Sequence, residues 1–430
     1  MLGVRHLQVI MLFFAMVICY TMRVNMSMAI VAMTDKDTEG SFDWSMQIQS
    51  VILSSFFWGY IVLQIPSGEM AAKFGGMILI TICIAVNSAV SLLIPIGAYY
   101  GGWKVLCACR VLQGLSQGCL YPTMHNLIGK WVPIQEKSRL GTLIYGGAML
   151  GTALQLMVSG FIADYWGWPA IFYVNGALGA IWVVIYVFLG ADSPQRSKMI
   201  GNEEKIYIQT SLGQIGEQKV SIFKPSCRLP TPWKKILTNL SFISLIVVHC
   251  GHNWGFWTLM TEMPSYMKQV LGVDIKANGL MSALPYLAMY LLSFPFAFLS
   301  DYFLKKKWLS INWCRKLSSS IALIALCYVP AGDVVMAVAL LTVVVGLNAG
   351  HMTGYLLVHI DMAPNFAGTM MGITNFFANI VSIIAPLVAG LILQDEVRKD
   401  VVNRTVFIAH NTLKMQSPRY SYILDNYIFN

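Results

Sequence analysis

Trp103-Lys-Val-Leu-Cys-Ala-Cys-Arg110-Val-Leu-Gln-Gly-Leu-Ser-Gln117-Gly-Cys-Leu-Tyr121-Pro-Thr-Met-His125-Asn-Leu-Ile128 is the stretch on which the fold turns. A helix of about 20 apolar residues crosses a bilayer, and this run is long enough, yet it carries an arginine well inside. Arg110, Gln113, Gln117 and Tyr121 stand at i, i+3, i+7 and i+11. On a helix that spacing keeps them within an arc of about 80°. His125 continues the line, and the rest of the surface suits lipid. A charge at the centre of a spanning helix costs about 2.5–3.5 kcal/mol on insertion scales, so it faces protein or a water-filled cavity. The segment predicts an all-α polytopic membrane protein with a polar interior.

The rest of the chain agrees. Of 430 residues, 57% are hydrophobic and 11% charged, with a mean hydropathy of +0.63. An ordinary soluble domain is about 25% charged, so one large water-soluble domain, a disordered chain and a disulfide scaffold are all excluded. The nine cysteines form no CxxC and no metal-ligand spacing, and most lie in apolar runs, where they read as small buried residues. Eleven candidate spans emerge: 7–33, 47–67, 77–98, 103–128, 140–163, 169–190, 241–263, 278–300, 317–332, 334–358 and 366–393. The first resembles a signal peptide at Leu7–Tyr20. Its apolar pattern runs on past Arg23 to Met33 without a small-residue cleavage site, so it reads as an uncleaved helix.

With the N-terminus in the cytoplasm, the cytoplasmic side carries eighteen Lys and Arg. The outer side carries four: Lys36, Lys104, Lys268 and Lys276. The positive-inside rule fixes that orientation. The net charge of +9 is therefore a topology signal that requires no nucleic acid. Residues 1–190 read as a six-helix bundle, 191–240 as a cytoplasmic linker, 241–393 as a five-helix bundle and 394–430 as a polar tail. A weak repeat relates the halves: Leu140-Gly-Thr142 opens the fifth span and Ala367-Gly-Thr369 the eleventh. Such repeats around a linker mark many secondary transporters.

A second arginine, Arg23, lies inside the first span. The tenth span repeats the spacing of the fourth with Asn348, His351, Tyr355 and His359. The seventh carries His249, His252 and Asn253 on one face, and the eleventh Asn375, Asn379 and Ser382. Each has a bland alternative. The arginines could pair with a carboxylate or helix carbonyls, although spans one to six hold no embedded acid. The histidines could be polar packing, and the asparagines and serine interhelical hydrogen bonds. Glu262 and Asp301 lie near span ends and read as structural or gating residues. Gly75-Gly76 and Gly146-Gly147 read as turn and packing positions, since GxxxxGK[ST] is absent. Two guanidiniums in a cavity poor in acids make an anion site, because the planar fork binds carboxylate or phosphate oxygens in pairs. No nucleophile with a base, no zinc motif and no nucleotide cradle is found, which argues against an enzyme.

Arg23-Val-Asn-Met-Ser-Met-Ala-Ile-Val-Ala-Met33, Ser55-Phe-Phe-Trp-Gly-Tyr60, Arg110-Val-Leu-Gln-Gly114, Tyr121-Pro-Thr-Met-His125, Asn253-Trp-Gly-Phe-Trp257 and His359-Ile-Asp-Met-Ala-Pro-Asn-Phe-Ala-Gly368 resemble the anion–cation symporter family of the major facilitator superfamily. That family holds sialin, vesicular glutamate transporters and type I sodium–phosphate cotransporters, and the nearest branch is the invertebrate inorganic phosphate cotransporters. The resemblance spans roughly residues 5–396. It implies the major facilitator fold, two bundles around a central cavity, and substrate binding by Arg23 and Arg110. Proton-coupled members carry a glutamate where Gln117 stands, and vesicular glutamate transporters an arginine where His252 stands. The family's twelfth helix has no counterpart here, which gives eleven spans, and the ninth is short.

The expected function is secondary active transport of inorganic phosphate or a related organic anion by alternating access. The expected substrate-binding residues are Arg23, Arg110, Gln113, Gln117, Tyr121, His252, Asn253, His351, Tyr355 and Asn375. No cofactor is expected. Sodium is the expected co-substrate and the bilayer the surrounding solvent, with the plasma membrane favoured over lysosomal or vesicular membranes. Two alternatives stay open: a proton-coupled lysosomal or vesicular exporter of acidic sugars, and a truncated, non-transporting partner of a full-length carrier.

Overall fold

The computed structural model describes residues 3–35, 41–133, 136–212, 233–269, 273–306, 334–347, 349, 359, 362 and 367–395. These residues are helical with short connections, and no strand occurs among them. The helices are α1 (Val4–Met33), α2 (Met46–Tyr60), α3 (Gln64–Phe74), α4 (Gly76–Gln117), α5 (Leu120–Trp131), α6 (Lys137–Trp166), α7 (Trp168–Leu189), α8 (Asn202–Ser211), α9 (Trp233–Leu237), α10 (Leu240–Gln269), α11 (Ile275–Lys306), α12 (Val334–Leu347) and α13 (Ala367–Asp395). Among the described residues, six helical stretches are long and apolar enough to cross a membrane.

One of those, Gly76–Trp131, is two spans. The chain reverses at Gly102, whose φ of 60° and ψ of −158° suit a residue without Cβ. The reversal brings together residues well before and after it: Asn87 Nδ2 donates to the Gln113 carbonyl at 3.3 Å. In a straight helix those residues would lie about 39 Å apart. The third and fourth candidate spans are thus a tight antiparallel pair. α2 and α3 form one span with an irregular step at 61–63 ahead of Pro66.

Successive connections alternate between two ends, as the loop charges require. At the basic end, Glu204 of α8 caps α1. Its Oε2 accepts from Val4 N at 2.9 Å and its Oε1 from Arg5 N at 3.2 Å. Arg5 also forks onto Glu136, at 3.1 and 3.2 Å. This capping carboxylate explains why α1 starts at Val4 rather than residue 7. Asp192, just past α7, takes Lys130 Nζ at 2.9 Å and Gly76 N at 2.6 Å. Burial pushes the Asp192 carboxyl up. The Lys130 hydrogen bond and charge, with the amides of Gly76 and Met77, outweigh burial and hold it below the ordinary carboxylate value. At the opposite end, Phe42 stacks on Trp44 at 4.5 Å and packs near Tyr99 and Trp168, closing the 1–2 loop over the bundle.

α1, α4 and α7 pack together with α2 and α6, and α10 with α13, α11 with α12. The two sets meet through α6–α11, α2–α13 and α1–α10. At the α6–α11 crossing the backbones nearly touch. A Cβ on Gly279 would lie 2.7 Å from the Leu156 carbonyl and 3.0 Å from Gly160 Cα. Close by, Lys276 Nζ meets Asp164 Oδ2 at 2.7 Å.

The linker is partly structured, carrying α8 and α9, a feature its polar composition does not announce. The ninth span, most of the tenth beyond Leu347, and the tail from residue 396 lie outside the described residues, and with them the count of eleven and the twelfth helix. The side chains of Glu262 and Asp301 do as well. Among the described residues, six cysteines are free thiols, with Cys19, Cys83 and Cys119 in the interior.

Candidate functional site

Where the two sets of helices meet, they enclose a cavity with an empty volume of about 420 Å³, its opening included. From the first set, Tyr20 and Arg23 of α1, Tyr60 of α2, Tyr121 of α5 and Met149 of α6 reach it. From the second come His249, His252, Asn253, Phe256 and Trp257 of α10, and Met371, Asn375 and Asn379 of α13. The wall therefore holds one arginine among aromatic rings and amides.

Arg23 is 4% exposed. Its guanidinium carbon lies 4.0 Å from the ring centre of Trp257, 4.4 Å from Tyr60, 4.8 Å from Phe56, 5.3 Å from Phe57 and 5.5 Å from Tyr20. Nε and Nη2 meet no hydrogen-bond acceptor, and among the described residues no carboxylate pairs with it. A desolvated cation–π contact is worth up to about 2 kcal/mol. A few such contacts match the roughly 2.5–3.5 kcal/mol of inserting the charge. The rings thus surround the cation, and Nε and Nη2 are buried without an acceptor in this conformation.

Arg110 is one layer deeper and 3% exposed. Nη1 donates to Gln113 Oε1 at 3.1 Å and Nη2 to the Arg23 carbonyl at 3.2 Å. Phe56 lies between the two guanidiniums, 4.8 Å from Arg23 and 4.9 Å from Arg110. Gln117 Nε2 donates to the Cys19 carbonyl at 3.0 Å and to Asn87 Oδ1 at 3.1 Å. Of the fourth-span stripe, only Tyr121 borders the cavity, where its hydroxyl meets that of Tyr20 at 2.7 Å. An 80° arc is wide enough to face different neighbours: Arg110 and Gln117 turn to α1, and Gln113 and Gln117 are bonded to the Asn87 side of the hairpin.

The polar groups opposite Arg23 are braced. Asn375 Nδ2 donates to Gln64 Oε1 at 3.0 Å, and Asn379 Nδ2 to Asn375 Oδ1 at 3.1 Å. Asn253 Nδ2 reaches Ser382 Oγ at 3.4 Å. Toward the basic end, Tyr145 Oη lies 2.7 Å from His125 Nδ1, and His359 Nε2 lies 2.8 Å from Thr374 Oγ1. Among the described residues no cluster of three or more His, Cys, Asp or Glu could hold a metal.

Of the expected site residues, Arg23, Tyr121, His252, Asn253 and Asn375 share the cavity wall. Arg110, Gln113 and Gln117 pack behind it, and His351 and Tyr355 lie outside the described residues. The aromatic members, above all Tyr60 and Trp257, are not marked by the polar pattern of the sequence. A weaker signal was there: Tyr20 precedes Arg23 by one turn, and Trp257 follows Asn253 by one turn on the same face.

The fold is that of a solved D-xylose–proton symporter, with a TM-score of 0.67 at 13% identity over 95% of this chain and 97% of that one. A family model described as Major Facilitator Superfamily matches residues 12–386. A Drosophila ananassae protein named "Putative inorganic phosphate cotransporter" is 39% identical, covering 90% of this chain and 85% of its own length. Sialin of Homo sapiens is 35% identical, covering 91% and 83%. The chain belongs to the Major Facilitator Superfamily and, within it, to the anion–cation symporter family. It is a multi-pass membrane transporter and not an enzyme.

Proposed function

We propose that the protein carries inorganic phosphate or a related organic anion by alternating access, coupled to sodium. The observation that supports this most directly is Arg23: a buried guanidinium on the cavity wall, with Nε and Nη2 lacking acceptors and no carboxylate partner among the described residues. A planar fork of that kind is matched by two oxygens of a phosphate or carboxylate. His252, Asn253 and Asn375 on the facing helices are suited to bind the remaining oxygens. The name of the 39% identical relative supports phosphate, and that of sialin supports an organic acid as the related alternative.

Sodium is favoured over protons because Gln117, buried and bonded through its amide to α1 and α4, cannot exchange a proton within the cycle. The plasma membrane follows from that coupling, since it is the membrane across which a steep sodium gradient stands. The test is uptake of labelled phosphate, urate and sialate by cells with verified surface protein, with and without sodium. Sodium-dependent phosphate uptake is the expected result. Flat uptake of all three, or acid-driven uptake without sodium, would defeat the reading.

A further inference from the structure

Trp257 belongs to α10 and Arg23 to α1, so their contact joins the two sets of helices whose relative movement alternating access requires. At 4.0 Å it is the shortest of the five ring contacts around Arg23. The other four rings, Tyr20, Phe56, Phe57 and Tyr60, come from α1 and α2 and belong to the same set as the arginine. Trp257 is also 5% exposed, borders the cavity, and is propped edge-on by Phe57 at 4.9 Å and Phe256 at 5.5 Å.

We propose that Trp257 is an internal cap on Arg23, a positioning residue that takes the anion's place against the guanidinium and lets the substrate-free carrier close and return. This rests on the reading of the cavity as an anion site. An empty carrier faces a specific electrostatic problem. Its two halves must close over a cation whose ligand has left, with no acid beside it among the described residues. A ring from the opposite half solves it, because its π face is attractive to the cation while demanding no charge. The ring does so only when the halves are together, so the stabilisation belongs to the closed, empty state.

The cap and the anion compete for one cation, and this gives two signatures that a purely structural tryptophan would not. Removing the cap should weaken closure of the empty carrier, slowing net uptake. It should spare exchange of internal for external anion, which never requires the empty carrier to close and reorient. It should also lower the half-saturation concentration in exchange, because the anion no longer displaces a ring.

The experiment is labelled phosphate transport by Trp257→Leu and Trp257→Phe in both modes, net uptake into unloaded cells and exchange in phosphate-loaded cells, normalised to surface protein. For Trp257→Leu we expect net uptake to fall about tenfold, the worth of one desolvated cation–π contact, with exchange preserved and its half-saturation concentration lowered. Trp257→Phe, a weaker π face of similar shape, should fall between wild type and Leu in net uptake. Equal loss of both modes, no loss in either, or a Phe variant as impaired as Leu would each overturn the proposal. Should Trp257→Leu fail to reach the surface, Trp257→Phe decides alone: a selective fall in net uptake supports the cap, and parallel changes reject it. Wild-type protein that moves none of phosphate, urate and sialate in either mode would instead reject the anion-carrier reading.

Discussion

Arg110 donates through Nη2 to the main-chain carbonyl of Arg23 at 3.2 Å. The two membrane-embedded arginines are thus joined by a hydrogen bond, and only Arg23 turns its side chain to the cavity wall. Their roles separate accordingly. Arg23 lines the cavity, whereas Arg110 holds α1 against α4 from behind Phe56.

Substitution of the two should reflect this. Arg23→Gln should abolish uptake at near-normal surface expression. Arg110→Gln should also abolish it, by removing a charge-assisted bond worth about 1.5–3 kcal/mol. Arg110→Lys should recover part of the rate, since an ammonium can donate to the Arg23 carbonyl but cannot hold Gln113 in the same plane. Uptake at the wild-type rate in Arg23→Gln would remove that arginine from the site.

Gln117→Glu bears on coupling. The native amide donates to two acceptors, the Cys19 carbonyl and Asn87 Oδ1. A carboxyl can satisfy one of them only while it keeps its proton; ionised, it would set oxygen against oxygen. The variant should acquire uptake that rises as the medium is acidified between about pH 7.5 and 5.5, where wild type stays nearly flat. The measurement is uptake against pH at fixed sodium and clamped potential, using a monovalent organic anion beside phosphate. A steep acid dependence already present in wild type would contradict the sodium assignment.

The α6–α11 crossing leaves no room for a side chain at Gly279. Gly279→Leu should separate the helices and cut uptake by more than about tenfold, as overpacking costs about 1–3 kcal/mol. Gly129→Ala is the control, since a Cβ there meets nothing within 4 Å. Equal activity of the two variants would show that the contact is not maintained during transport.

Asp192 ties the end of α7 to Lys130 and to the start of α4. Asp192→Asn should lower the melting temperature of detergent-purified protein by several degrees, reflecting about 1–2 kcal/mol. The native carboxyl sits below its ordinary value, so its contribution is present above about pH 4 and is lost as pH falls through the lowered value. The difference between wild type and variant should therefore shrink at acid pH. A difference unchanged down to pH 3 would mean that the charge is irrelevant.

The local rules were legible where they depend on one helix at a time. The apolar runs located the described spans to within a few residues, and the loop charges arranged their ends. The polar residues of the seventh and eleventh spans reached the cavity because a period of 3.6 gathers them on one face. The linker helix α8 was not legible, because its place is fixed by a carboxylate meeting the start of α1 some 200 residues away. The aromatic setting of Arg23 was equally hidden. Rings are ordinary core residues until packing brings one from each half to the same cation.

The sequence by itself determined the solvent, the order of the described spans, the family, and the presence of two costly buried arginines. Each of these follows from composition and local periodicity, which a bilayer enforces because every backbone polar group must be satisfied within its own helix. Only the tertiary structure decided which arginine faces the cavity, that Gln113 and Gln117 pack behind the cavity wall, and that the Trp257 ring meets Arg23 from the other half. Those choices depend on helix rotation and on contacts between residues far apart in the chain. A helical stripe specifies an arc, and the neighbouring helices decide what each residue within it meets.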